Sequence, residues 1–96
     1  MRYKTAVVTG ASSGIGKAIA EELCKNGVKV YGLARNRSKL QEVKNALPKN
    51  GRKLFVVTSC NISDQESARQ TLNRVFEDAT IDLVINNAGI GFSGDF

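Results

Sequence analysis

The sequence predicts an α/β fold: a doubly wound parallel sheet covered by helices. Three observations predict it. Four short apolar, β-branched runs alternate with three stretches whose apolar residues recur at helical spacing. A glycine-rich segment, Thr9-Gly10-Ala11-Ser12-Ser13-Gly14-Ile15-Gly16, joins the first run to the first helical stretch. A second small-residue segment, Asn86-Asn87-Ala88-Gly89, closes the fourth run.

Taken in order, Thr5–Thr9 reads as a buried strand. The amphipathic stretch Lys17–Lys25 reads as a helix, with Ile15, Ile19 and Leu23 on one face and Ala18 beside them. Asn26-Gly27 stops it, with Gly27 at the position just past the cap. Val28–Leu33 is the second strand. Ser38 begins a second helix, with Gln41 as its capping-box partner and Leu40, Val43 and Leu47 facing inward. Pro48-Lys49-Asn50-Gly51 reads as a turn. Leu54–Thr58 is the third strand. Ser63 and Glu66 form another capping box, ahead of a helical face of Ala68, Leu72, Val75 and Phe76. Ile81–Ile85 is the fourth strand, and the glycine-rich tail 90–96 adds no helix.

The resulting β-α-β-α-β-α-β order implies right-handed crossovers and a strand order of 3-2-1-4. A ligand in such a sheet sits at the carboxyl ends of the first and fourth strands, where the order reverses. The glycine turn and Asn86–Gly89 both fall there.

Composition excludes several other classes. The chain is 42% hydrophobic and 24% charged, as expected of a soluble globular domain, and its length allows one domain at most. The formal net charge is +5, but the basic residues are dispersed and aromatics make up only 6%, which argues against a nucleic-acid surface. No histidine is present, and the two cysteines, Cys24 and Cys60, are isolated, so neither a zinc site nor a disulfide is expected. No apolar stretch is long enough to span a membrane, and a strand begins too soon for a signal peptide, so the expected location is cytoplasmic. The sequons at Asn36 and Asn61 are read as chance.

The glycine turn carries the chemistry. A strand that ends in glycines and feeds a helix directs amide N–H groups, and the positive end of the helix dipole, toward a phosphate. The spacing of Gly10, Gly14 and Gly16 permits a tight turn and close approach to a pyrophosphate, so dinucleotide binding is expected. A P-loop is the nearest competitor. It fails because Ala11 stands where the first glycine would be, and Ala18 replaces the magnesium-binding hydroxyl.

Together, Thr9–Gly16 and Asn86-Asn87-Ala88-Gly89 resemble the N-terminal half of a short-chain dehydrogenase/reductase, over essentially the whole chain. The resemblance implies a Rossmann-type fold, truncated here to residues 1–96 as a partial NAD(P)-binding domain. It also implies hydride transfer between NAD(P)(H) and a small-molecule alcohol or carbonyl. The residues expected to hold the cofactor are Gly10, Ser12, Ser13, Gly14, Ile15, Gly16, Arg35, Asn61, Ile62, Asn87, Ala88 and Gly89.

Charge points to NADP over NAD. A carboxylate after the second strand would bind the ribose hydroxyls of NAD and repel a 2′-phosphate. Leu33-Ala34-Arg35-Asn36-Arg37 has none, and Arg35 can pair with a phosphate and stack on adenine. The competing reading makes Arg35 and Arg37 ordinary loop charges. Asn61 stands where the resemblance places an Asp that accepts from the adenine amino group. Its carbonyl can still accept, although a loop Asn that only caps backbone fits the position too. Which of Asn86 and Asn87 faces the cofactor is open.

The Tyr-x-x-x-Lys pair on which the family's catalysis depends is absent. Val7 stands four residues after Tyr3, and Arg35 four after Tyr31. No catalytic residue is assigned. The chain reads as truncated just past the fourth strand, leaving an apolar edge there. The family's oligomer contacts do not carry over. The alternative is a non-catalytic nucleotide-binding module or an inactive short form.

Overall fold

The computed structural model describes residues 3–61 and 63–87. Four strands, β1 (Thr5–Thr9), β2 (Lys29–Ala34), β3 (Phe55–Ser59) and β4 (Leu83–Asn86), form a parallel sheet in the order β3-β2-β1-β4. The helices are α1 (Gly14–Lys25), α2 (Arg37–Ala46), the single turn α3 (Lys49–Arg52) and α4 (Gln65–Asp78). The expected Rossmann-type α/β fold and strand order are both present.

The register explains the two-sided core. Ala6, Val8, Val30, Phe55, Leu83 and Ile85 share one face, beneath α1 and α2, with Leu23, Cys24, Leu40, Val43 and Leu47. Val7, Tyr31, Leu33 and Val56 share the other, where Leu72 and Val75 of α4 cover them. Strands buried on both faces read as continuous apolar runs rather than alternating ones, which is how they stood in the sequence. Gly32 is needed because the Phe55 ring lies over it, 2.4 Å from where a Cβ would be.

Several local expectations are corrected. The inward stripe of α1 is Gly16, Ala20, Leu23 and Cys24, with Ile19 half-buried, while Ile15 is 71% exposed and Ala18 is exposed. Small residues make this contact because the helix start lies close against the turn, and a hydrophobicity pattern underweights them. The cap of α2 is Asn36, whose Oδ1 accepts from the Lys39 N–H at 3.1 Å, not Ser38. The cap of α4 is Asp64, whose Oδ1 accepts from Glu66 N–H at 3.1 Å and Ser67 N–H at 3.5 Å, not Ser63. Asn and Asp cap at least as well as Ser, and a carboxylate also meets the helix dipole.

The expected turn at Pro48–Gly51 is the start of α3, closed by N–H groups of Gly51 and Arg52 donating to the Pro48 carbonyl. Lys44 holds it in place, its Nζ donating to the carbonyls of Arg52 and Phe55. Phe76 is 38% exposed, and Thr71 takes a buried place on α4 instead. β1 has the expected bounds, and the other three strands differ from theirs at the ends by one or two residues. Asp82 precedes β4 and clamps it to β1: its carboxylate accepts from Lys4 N–H at 3.0 Å and Thr5 N–H at 3.1 Å, and its own N–H donates to Thr5 O at 3.0 Å.

Candidate functional site

The carboxyl ends of all four strands lie along one edge of the sheet, and the glycine turn arches over the β1 end. Gly10 and Gly14 have φ of 66° and 59°, a left-handed backbone in which a Cβ is strained. The N–H of buried Ala11 donates to the Leu33 carbonyl at 3.2 Å, pinning the turn to the end of β2. Ser13 is the extended residue before α1, and its side chain makes no cap bond. α1 also has no acidic residue in its first turn. The first-turn amides of α1 therefore lack the side-chain acceptor that Asn36 gives α2 and Asp64 gives α4. Gly14 and Ile15 are exposed there, and a Cβ on Gly14 would meet nothing within 4 Å. This is an open cradle of N–H groups at a positive helix end, suited to an anion.

Gly16 has the opposite role. A Cβ there would lie 2.2 Å from the Gly10 carbonyl oxygen and 2.6 Å from Asn87 Nδ2. Its hydrogen is what lets α1 start directly on the turn, and it brings the half-buried Asn87 against the same turn. Asn86 faces elsewhere: its Oδ1 accepts from Thr9 Oγ1 at 3.1 Å, and the same hydroxyl lies 3.4 Å from Ile85 O. The two asparagines thus separate by contact, Asn86 in the β1–β4 seam and Asn87 beside the glycines.

Arg35 follows β2 and is exposed. Its carbonyl accepts from Ser59 Oγ at 3.1 Å, and among the described residues nothing pairs with its guanidinium. Arg37 is the first residue of α2 and is also exposed. Asn61 is half-buried after Cys60, whose N–H donates to Ala34 O at 2.9 Å, so Arg35 and Asn61 emerge from adjacent strands. Ser63 Oγ donates to Asn61 Oδ1 at 2.6 Å. Ser12 lines a cleft of about 380 Å³ between α1 and α2, with Lys17, Lys39, Glu42, Val43 and Ala46. Lys17 and Lys39 were missed in the sequence, where each is one lysine among many and only the packing of the two helices brings them together. Ile62, Ala88 and Gly89 lie outside the described residues.

Both thiols are free and buried. Burial pushes Cys24 up to about 11, against a smaller opposing effect of Lys44. Burial likewise raises Cys60, partly offset by a hydrogen bond with Thr71 and the charge of Arg74. Among the described residues no cluster of His, Cys, Asp or Glu can hold a metal ion, and no helix is long and apolar enough to cross a membrane.

The family profile described as short chain dehydrogenase matches residues 4–96. Farnesol dehydrogenase of Aedes aegypti is 41% identical over 88 residues, covering 91% of this chain and 36% of that protein. A short-chain dehydrogenase from Sphingobium yanoikuyae, solved in complex with NADPH, superimposes with a TM-score of 0.79 at 30% identity over 91% of this chain and 34% of its own. The 3-ketoacyl-(acyl-carrier-protein) reductase from Brucella melitensis, complexed with NADH, superimposes with a TM-score of 0.76 at 27% identity over 92% of this chain and 35% of its own. The chain thus spans about a third of the length of such relatives.

Proposed function

Because this chain belongs to the short-chain dehydrogenase family, we propose that it forms the cofactor-binding half of an NADP-dependent oxidoreductase acting on a small-molecule alcohol or carbonyl. The observation that carries the reading is the uncapped start of α1. Gly14 has φ 59° and open space where a Cβ would be, so a pyrophosphate fits against the first-turn amides. Gly10, Ser12, Ser13, Gly14, Ile15 and Gly16 form that wall. Asn87, against Gly16, reaches the nearer ribose, with Ala88 and Gly89 following it. Asn61 and Ile62 meet the adenine. When bound, the nicotinamide supplies or accepts the hydride.

Arg35 decides between the two dinucleotides. It is exposed and has no carboxylate beside it in the loop, so it can meet a 2′-phosphate with charge-assisted hydrogen bonds. A calorimetric titration tests this. NADPH is expected to bind at least about tenfold more tightly than NADH, a preference lost in Arg35→Asp. Equal affinities in the unsubstituted chain would sink the charge argument.

A second reading takes residues 1–96 by themselves, which hold no Tyr-x-x-x-Lys pair, as a nucleotide-binding module without turnover. Carbonyl-dependent NADPH oxidation by the pure chain would refute that reading. A cytoplasmic location accompanies both, supported by the two unpaired buried thiols.

A further inference from the structure

The residues that follow β2 are Arg35, Asn36, Arg37, Ser38 and Lys39, and all are exposed. Three of them are cations. Ser38 stands between two of these, three residues after Arg35 and one after Arg37. Among the described residues nothing bonds to its hydroxyl. The other described serines differ. Ser59 Oγ donates to the Arg35 carbonyl at 3.1 Å, and Ser63 Oγ donates to Asn61 Oδ1 at 2.6 Å. Ser12, Ser13 and Ser67 have no cation among the three residues before them. The only carboxylate of α2, Glu42, lies one turn beyond Ser38, in the cleft with Lys17 and Lys39.

We propose that Ser38 is a phosphorylation site, and that a phosphate there cancels the preference for NADP by capturing Arg35. This rests on the reading of Arg35 as the partner of the 2′-phosphate. Arginines just before an exposed serine are the charge pattern that a kinase with an acidic substrate groove selects. In the transfer, Ser38 Oγ bonds to the γ-phosphorus of ATP. The bond from that phosphorus to the β-phosphate oxygen breaks, ADP leaves, and the hydroxyl proton passes to the kinase's base. The product carries about −1.5 to −2 charges and three acceptor oxygens. It meets Arg35, Arg37 and Lys39, with charge-assisted hydrogen bonds to the guanidinium groups. A phosphate tethered so close faces Arg35 at an effective concentration on the order of millimolar, and it repels a second phosphate from the same place. NADH brings no 2′-phosphate, so its binding is spared.

The test begins with the folded 96-residue chain, ATP and a serine kinase selective for arginine three residues before its acceptor. Peptide mapping by mass spectrometry is expected to find one phosphoryl group, on Ser38, and none on Ser12, Ser13, Ser59, Ser63 or Ser67. Calorimetric titration of the phosphorylated chain is then expected to show NADPH binding weakened about tenfold or more, and NADH binding changed by less than about threefold. Ser38→Ala, treated in the same way, keeps its NADPH preference. Absence of label on Ser38 would overturn the inference and leave the role of Arg35 standing. So would a phosphorylated chain that keeps the full NADPH preference of the unmodified one. Equal affinities for NADPH and NADH before phosphorylation would overturn both.

Discussion

Gly14 and Gly16 are two residues apart, and they are glycine for different physical reasons. At Gly14 the constraint is the backbone: φ is 59° and the space beyond is open. At Gly16 the constraint is space, since a Cβ would sit 2.2 Å from the Gly10 carbonyl oxygen. Urea denaturation should separate them. Gly14→Ala is expected to cost about 1 kcal/mol, the penalty for a left-handed alanine. Gly16→Ala is expected to cost about 3 kcal/mol, because backbone must move to admit the methyl group. Equal losses would mean that the turn relaxes around Gly16. The pattern of glycines was legible in the sequence, but the division of labour was not, because it depends on what lies across from each one. The same holds for the asparagines: Thr9 claims Asn86, and the glycine turn receives Asn87.

The elements themselves were legible wherever one signal dominated. The inward face Leu40, Val43 and Leu47 is buried as expected, because three aliphatics at helical spacing have only one way to leave water. The caps were misread because several capping residues stand close together. Asn36 precedes Ser38, and Asp64 adjoins Ser63, and the spacing to a later Gln or Glu singled out the serines. In each case the residue used starts its helix at a position consistent with the neighbouring strand. Asp64→Ala should therefore lower stability by about 1 kcal/mol, whereas Ser63→Ala should change it by a few tenths at most. Thermal melts of the two variants distinguish them, and a larger loss from Ser63→Ala would return the cap to that residue. α3 went unseen because a proline–glycine segment signals a turn equally well. The turn closes through the Gly51 and Arg52 N–H groups on the Pro48 carbonyl, and Lys44 reaches from α2 to hold the Arg52 carbonyl at 2.8 Å.

At the scale of the whole molecule, the sheet has two covered faces, and each buries a thiol. Cys24 lies in the α1–α2 layer and Cys60 in the α4 layer. Burial raises both, so the folded state keeps its thiol protons at pH values where the unfolded chain releases them. The sign follows: this contribution is fully present below the unfolded value of 9.0 and is lost as pH rises toward about 11, the folded value for Cys24. Denaturation midpoints measured across that window should fall, and Cys24→Ala should flatten the decline. An equally steep decline in Cys24→Ala would assign the effect elsewhere. The order β3-β2-β1-β4 leaves β4 half-buried and paired only with β1 among the described residues. Asp82 secures that pairing from the opposite end of the strand, 77 residues from the Thr5 N–H that it accepts. No local pattern in the sequence marks a contact of that span.

By itself, the sequence determined the layer architecture, the strand order and the end of the sheet at which the glycine turn lies. Those follow from hydrophobic period, chain direction and handed crossovers, which are properties of neighbouring residues. Only the tertiary structure decided which glycine is strained and which is crowded, which asparagine faces the turn, and that Lys17 and Lys39 share a cleft. It also decided that Ser63 donates to the Asn61 side-chain oxygen. Each of these depends on a distance between groups that the chain brings together only when strands and helices pack, and a distance of that kind has no counterpart in local sequence.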